Sequence, residues 1–274
     1  MRNKIGVMQG RLLPKYQERY QAHPVGYWQD EFSIAQKLGL DSIEFILDLN
    51  DAADNPLLKN GGIKEIKAII KKTGVTVNTI CADYFMEAPL HSENLNISEN
   101  SQQVLIKLLS NAVDLSVTDI VIPCVDQSSL DSVEAADRFI IQLTPVVKIA
   151  EKLKINLSLE TDLAPQPFVE LLNRFNSNRV TVNYDIGNSA ALGFDSDEEL
   201  EAYGDRITDI HIKDRVSGGG PVALGDGNAD FTKFFNKLKE FNYQGAFIMQ
   251  VYRDNEGVEI FKKQLNWIKK YLND

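Results

Sequence analysis

The stretch that decides the fold is ITDIHIKDRVSGGGPVALGDGNADF, residues 207–231. Its first half alternates apolar and polar side chains. In a β-strand, Ile210 and Ile212 would therefore point to one face while Asp209, His211 and Lys213 point to the other. A strand that gives one face to ionisable side chains forgoes apolar packing there. The pattern indicates a strand whose second face serves chemistry, and a histidine satisfied by local hydrogen bonds at a strand end is the structural alternative.

The same strand-and-helix unit recurs along the whole chain. Eight short apolar strands alternate with eight helical patterns, from the helix at residues 27–38 to the helix at residues 258–272. Strict alternation predicts a parallel sheet with helices outside, and a count of eight favours a closed (β/α)8 TIM barrel over an open sheet. No linker or shift in composition divides the chain, so we predict a single domain over residues 1–274. The predicted strands are Lys4–Gln9, Ser42–Leu47, Val75–Ala82, Asp119–Val125, Ile155–Thr161, Val180–Asp185, Ile207–Lys213 and Ala246–Val251.

A glycine-rich loop also occurs in nucleotide-binding sheets, which makes such a sheet the rival fold. Gly6 and Gly10 do not have the GxGxxG spacing, however, and the loop at residues 217–227 lacks the Lys-Ser/Thr pair of a P-loop. The nucleotide-binding interpretation therefore loses its main support.

Composition narrows the class of protein further. The net charge is −10 without a run of like charge, which disfavours nucleic acid and anionic membranes as partners. The two cysteines lie in apolar runs. The apolar run near the N-terminus is too short for a secretory signal. No apolar segment approaches the roughly 20 residues that a membrane-spanning helix needs. We predict a cytoplasmic protein with no nucleic-acid or membrane partner, and assembly into a homo-oligomer stays open.

Four consecutive predicted strands end in polar side chains that point into the barrel: Glu160, Asp185, His211 and Gln250. Each has a structural alternative, as a helix cap, a turn residue or a satisfied interior group. Together they place two carboxylates and an imidazole at one barrel mouth, which costs desolvation and repulsion unless a cation offsets them. Mixed carboxylate, imidazole and amide ligands predict a divalent metal, namely Mn²⁺, Mg²⁺ or Co²⁺, with Zn²⁺ also compatible.

The motifs SLE at 158–160, YDIGN at 184–188, IHIKD at 210–214 and LGDGNADF at 224–231 occur in this order on these strands. In them the chain resembles the xylose-isomerase-like barrels of the sugar phosphate isomerase and epimerase superfamily. The resemblance implies that Glu160, Asp185 and His211 are metal ligands and that Gln250 is the fourth. It further implies an isomerase or epimerase that acts on a ketose or aldose sugar or sugar phosphate. Glu160 would abstract the proton next to the carbonyl.

Two positions depart from the family pattern. Gln250 stands where members usually have a second Glu, and Asn188 stands where many have His. An amide can coordinate a metal but cannot abstract a proton, so isomerisation, dehydration or mere sugar binding fits at least as well as epimerisation. A second base could come from Glu44, Asp83 or Asp214.

Further side chains are candidates for substrate contact. A phosphate could be bound by basic residues past the strand ends and by the backbone at residues 217–220, although solvated loops explain such residues equally well. The rival of an abasic-site endonuclease needs several metal-binding histidines, and the chain has three histidines in all. The predicted substrate contacts are Asn188, Lys213, Arg215, Glu44, Arg11 and Arg253.

Overall fold

A closed barrel of eight parallel strands forms the centre of the molecule, as predicted. The computed structural model describes residues 3–255 and 257–272, so residues 1, 2, 256, 273 and 274 of the predicted domain lie outside the described residues. Each strand pairs with its neighbours along the chain, and the first pairs with the last. The barrel strands are β1 (Ile5–Met8), β2 (Ser42–Ile46), β3 (Thr79–Cys81), β4 (Asp119–Cys124), β5 (Asn156–Thr161), β6 (Val180–Asp185), β7 (Ile207–Ile212) and β8 (Ala246–Met249).

Helices pack around the outside of this barrel. Two of them, α3 and α7 in the list below, were not predicted, and both directly follow a strand at the carboxyl end of the barrel. After β7, Asp214–Arg215 pairs with Pro221–Val222 as a short antiparallel ribbon. The α-helices are α1 (Gln29–Leu38), α2 (Gly62–Thr73), α3 (Tyr84–Glu87), α4 (Leu95–Ala112), α5 (Val133–Leu153), α6 (Pro165–Asn173), α7 (Ile186–Leu192), α8 (Ser196–Tyr203), α9 (Phe231–Leu238) and α10 (Val258–Leu272).

The predicted alternation on β7 is confirmed. Ile210 and Ile212 are fully buried in the large core between strands and helices. Asp209 and His211 point the other way and pair in register with residues of β6. A register shift between Val182 and Asn183 of β6 sets this pairing. The inward face of the barrel therefore carries the ionisable side chains.

A small separate apolar cluster fills the middle of the barrel, and its members come from five strands. Because side chains alternate along each strand, the next inward residue toward the carboxyl end lies at the barrel mouth. The cluster consists of Met8, Ile46, Cys81, Val121 and Ile248.

The third strand is shorter than the sequence predicts. Val75 and Val77 are buried, which produces the strand-like pattern. Their segment makes only an isolated bridge between Ser42 and Thr76 before β3 begins.

None of the helices in the described part of the chain combines the length and the apolar character that a membrane span requires.

The loop after β7 is built around the carboxylate of Asp214, which accepts N–H groups from Gly225 (2.9 Å), Gly227 (3.0 Å) and Ala229 (3.1 Å). A Cβ atom at residue 227 would lie 2.1 Å from Asp214 Oδ1, so only glycine fits there. This organising role explains the glycines of the LGDGN motif and takes Asp214 out of the list of candidate bases.

We therefore expect Gly227→Ala to lower the free energy of unfolding by about 1–3 kcal/mol, the usual cost of forcing atoms into a packed site. The matched control is Gly220→Ala in the same loop, because no atom lies within 4 Å of a Cβ built there. Urea unfolding of both variants measures the difference. Equal stabilities for the two variants would contradict this account of the loop.

Candidate metal centre

Three of the predicted ligands meet at the carboxyl end of the barrel. Glu160 at the end of β5, Asp185 at the end of β6 and His211 on β7 each present a ligand atom, and these atoms lie within 4.8 Å of one another. All three residues are buried. Adjacent parallel strands in register bring them together, since Asp185 is the direct partner of His211.

The imidazole of His211 makes a short contact with Glu44 of β2. Its Nε2 lies 2.7 Å from Glu44 Oε1, and both side chains have no exposed surface. When Nε2 carries the proton for this bond, Nδ1 presents its lone pair on the other side of the ring. Nδ1 is buried, has no hydrogen-bond partner and lies 4.0 Å from Asp185 Oδ2. The predicted contact of Glu44 with substrate is corrected here, because its carboxylate orients His211 inside the barrel.

Asp185 and Asn188 connect the centre to the loop after β7. Asp185 Oδ1 caps α7 by accepting the Asn188 N–H, while Oδ2 accepts from Lys213 Nζ at 3.2 Å. The Asn188 side chain donates to Glu160 Oε1 at 2.6 Å and accepts from Lys213 and Arg215. Asn188, Lys213 and Arg215 thus lie beside the predicted ligands, and their contact with substrate stays a prediction.

The fourth predicted ligand, Gln250, directly follows β8 and is buried. Its Nε2 donates to Gln21 Oε1 at 2.9 Å, and its Oε1 is buried without a partner. Gln21 comes from the long polar loop after β1. Its Oε1 also accepts from Arg11 Nη2 at 2.9 Å. Gln21 was missed by the sequence reasoning, since a polar residue in a polar loop carries no signal of its own.

Burial, followed by the nearby charge of Asp185, raises the pKa of Glu160 from 4.5 to about 7. Carboxylates that are desolvated next to one another favour a bound cation. The buried, unpartnered Nδ1 of His211 is the further donor that a divalent ion would require beside these carboxylates. The residues present therefore fit a divalent metal.

Two of the predicted phosphate contacts are corrected by the structure. The Arg253 guanidinium donates to the backbone carbonyls of Arg11, Asp254 and Leu13 and stacks on Tyr20, so it ties two loops together. The backbone N–H groups of residues 217–219 are also occupied. The N–H groups of residues 216–219 already donate to Gly220 O, Asn228 Oδ1, Ala191 O and Val216 O, respectively, which leaves little for a phosphate.

The loop that carries Arg11 is held by the buried carboxylate of Glu31, which accepts the N–H groups of Gly10 (2.8 Å) and Leu12 (3.0 Å). Burial raises the pKa of Glu31 from 4.5 to about 7 despite these bonds. The folded protein therefore binds more protons than the unfolded chain between these pH values. Its stability falls as pH rises through this window.

We expect this residue to make the free energy of unfolding fall by up to roughly 3 kcal/mol between pH 4.5 and 8, at about 1.4 kcal/mol per pKa unit. Urea unfolding of the wild type and of Glu31→Gln at several pH values measures it. The advantage of the wild type over the variant should shrink as pH rises. Parallel pH curves for the two proteins would contradict the prediction.

The other two histidines lie away from the centre. His23 packs on Trp28 and Phe45, and His91 packs on Phe139. All three histidines belong to the described part of the chain, and only His211 reaches the predicted ligands. A site with several metal-binding histidines, as an endonuclease would need, is not formed there.

The (β/α)8 barrel and the carboxylate–imidazole cluster at the carboxyl ends of its strands agree with a comparison to known protein families. The family model described as "Xylose isomerase-like TIM barrel" matches residues 32–271, and the chain belongs to this family. The expected superfamily is thereby confirmed.

Individual relatives can also be named. The L-ribulose-5-phosphate 3-epimerase UlaE of Salmonella paratyphi A is 26% identical over 260 residues, which cover 88% of this chain and 89% of the relative. The crystal structure of the 3-keto-D-glucoside 4-epimerase YcjR from E. coli has a TM-score of 0.75 at 18% identity and covers 98% of this chain and 99% of that one. A barrel protein of this kind from Mycobacterium smegmatis, solved in complex with magnesium, has a TM-score of 0.72 at 17% identity, with coverages of 99% and 96%. These structural likenesses concern the fold.

Proposed function

We propose that this chain is a divalent-metal-dependent sugar isomerase or epimerase that moves a proton at the carbon next to the carbonyl of a ketose or ketose phosphate. The observation that carries the proposal is the cluster of Glu160, Asp185 and His211, in which His211 Nδ1 is buried without a hydrogen-bond partner. The relative named L-ribulose-5-phosphate 3-epimerase supports the reaction class.

Glu160, Asp185, His211 and Gln250 would hold a divalent metal, which when bound would polarise a carbonyl and stabilise negative charge on its oxygen. Glu160 takes the proton from the substrate carbon, and Asn188 fixes the carboxylate by donating to Oε1. Burial of these side chains excludes water and strengthens the electrostatic interactions on which proton abstraction depends.

Lys213 and Arg215 reach the same side of the mouth through Asn188, and Arg11 lies on the other side with a buried, unpartnered Nε. These positively charged groups support the binding of an oxygen-rich, anionic substrate. The assay below compares each sugar with its phosphate and so tests whether the substrate carries a phosphate.

Gln250 favours a second candidate, a reaction that needs only one carboxylate base. Aldose–ketose isomerisation and dehydration both meet that condition, and a barrel that binds sugar without turnover is the limiting case. The fixed amide of Gln250, whose Nε2 donates to Gln21, is the observation in favour of these alternatives.

The test is an assay of the Mn²⁺-loaded protein in D₂O with four sugars: L-ribulose 5-phosphate, L-ribulose, D-fructose 6-phosphate and D-fructose. Deuterium incorporation next to the carbonyl, followed by mass spectrometry, supports the proposal, and the products separate epimerase from isomerase. Thermal stabilisation by a sugar without deuterium incorporation favours the binding protein. If none of the four sugars stabilises the protein or leads to deuterium incorporation, the proposed function is contradicted.

A further inference from the structure

Gln250 leaves an epimerase one carboxylate short, and the following inference rests on the proposed function. To move a hydrogen from one face of a carbon to the other, a base must act on one face and an acid on the opposite face. Glu160 supplies one of these groups. The Gln250 amide cannot exchange a proton in this way, so the second group must come from elsewhere at the barrel mouth.

Three other carboxylates near the strand ends have different tasks. Glu44 lies under His211 and has no exposed surface. Asp48 accepts from Arg19 Nη1 at 3.0 Å and from a backbone N–H at 2.8 Å. Asp214 accepts three N–H groups of its loop. Each of these groups is used by the fold or is closed off from a substrate.

Asp83 is different in position and in partners. It stands two residues beyond Cys81, which belongs to the cluster in the middle of the barrel. Although Asp83 directly precedes α3 at the N-cap position, its side chain makes no capping bond. The carboxylate turns to the barrel mouth, where Oδ1 accepts from Cys81 Sγ at 3.1 Å and Oδ2 from Gln21 Nε2 at 3.1 Å. A thiol is a weak donor, so Oδ1 is held only loosely. Asp83 is also partly exposed, so a substrate can reach it.

Gln21 sets the orientation of this carboxylate. Its Oε1 accepts from both Arg11 Nη2 and Gln250 Nε2, each at 2.9 Å. An amide whose oxygen takes two donors must present its NH₂ group in the other direction, and that group meets Asp83. The Gln250 amide therefore acts through Gln21 on the position of Asp83.

The two carboxylates belong to separate hydrogen-bonded groups on two sides of the mouth. Glu160 is joined to Asn188, Lys213 and Arg215, which follow β6 and β7. Asp83 is joined through Gln21 to residues that follow β1 and β8. The strand order places β3, β2, β1 and β8 in sequence around the barrel, so this second group spans the side that β5 to β7 leave open.

We propose that Asp83 is the second acid and base of this centre and acts on the face of the substrate carbon opposite Glu160, with Gln21 as its positioning residue. Glu160 takes the proton as the C–H bond breaks, and the electron pair of that bond moves onto the adjacent carbonyl to give an enediolate. Asp83 then donates its own proton to the opposite face of the same carbon as the carbonyl re-forms. Glu160 ends protonated and Asp83 ionised, and proton exchange with water restores both; the reverse reaction exchanges their roles.

The test compares the wild type with Asp83→Asn in the same Mn²⁺ and D₂O assay with the same four sugars. We expect the variant to lose epimer formation by about 100-fold or more, the usual contribution of a general acid or base. Deuterium should still enter the recovered substrate, because Glu160 still removes and returns the proton on its own face. Mn²⁺ affinity should stay within about threefold of the wild type, since the proposed metal ligands are unchanged.

Asp162→Asn is the matched control, because Asp162 follows β5 at the same end of the barrel and its carboxylate accepts from Ser129. It should leave epimer formation unchanged. Asp83→Ser carries the same expectation as Asp83→Asn, in case the amide disturbs folding.

Epimer formation within threefold of the wild type in a folded Asp83 variant overturns the inference. A variant that loses both deuterium incorporation into the recovered substrate and epimer formation also overturns it. A wild type that exchanges deuterium without forming an epimer also overturns it but leaves the isomerase form of the proposed function standing. A wild type that turns over none of the four sugars contradicts the proposed function itself.

Discussion

Glu160→Gln is expected to lower deuterium incorporation into the sugar by about 10³-fold, within the usual range for removal of a general base. The carboxylate is buried, its Oε1 accepts from Asn188 at 2.6 Å, and it lies within 4.8 Å of the Asp185 and His211 ligand atoms. The amide that replaces it keeps an oxygen for the Asn188 bond and for a metal but can no longer take a proton. The rate should fall far more than the affinity for sugar.

The measurement is mass spectrometry of the sugar after incubation in D₂O, together with a Mn²⁺ titration of the same variant. Glu170→Gln serves as the control, since Glu170 is an exposed residue of α6 in the segment that follows β5. Full exchange by the Glu160→Gln protein would show that another group is the base. A parallel loss of Mn²⁺ binding would assign the effect to the metal site instead.

His211→Ala is expected to weaken Mn²⁺ binding by more than the roughly 10- to 100-fold that loss of an outer hydrogen-bond partner costs. Its Nδ1 is the buried, unpartnered nitrogen that faces Asp185. Removing the ring leaves two carboxylates and an amide, and it leaves Glu44 buried without its partner. Isothermal titration with Mn²⁺ measures the change without any substrate.

His91→Ala is the matched control, because His91 is also buried but packs on Phe139 away from the centre. Glu44→Gln should give an intermediate loss, since an amide oxygen still accepts from Nε2 but the charge that favours this tautomer is gone. Unchanged Mn²⁺ affinity in His211→Ala would remove the metal centre from the proposed function.

Much of the fold could be predicted because local patterns carry it. Strand β6 and helix α10 have the predicted bounds, and most other strands differ from prediction by one or two residues at their ends. Burial without sheet pairing explains the exception at β3, where Val75 is buried outside the strand. Helices α3 and α7 were missed because they are short and begin within three residues of a strand end.

The inward-pointing residues at the ends of strands β5 to β8 could also be predicted from local patterns. Parallel strands all finish at one end of a barrel, and alternation tells which residue points inward. That is why the sequence alone groups Glu160, Asp185 and His211. Loop residues have no such rule, so the roles of Gln21, Asp214 and Arg253 depended on the folded chain.

The sequence by itself determined the (β/α)8 barrel and the identity of the inward side chains at its mouth, because helix and strand periodicity are local properties of the chain. Only the tertiary structure decided which of those groups have free atoms. It left His211 Nδ1 and Gln250 Oε1 without partners, brought Glu44 into contact with His211, and joined Asp83 to Gln250 through Gln21. Hydrogen bonds between residues as far apart as Gln21 and Gln250 depend on the closure of the barrel, which no pattern in a local window contains.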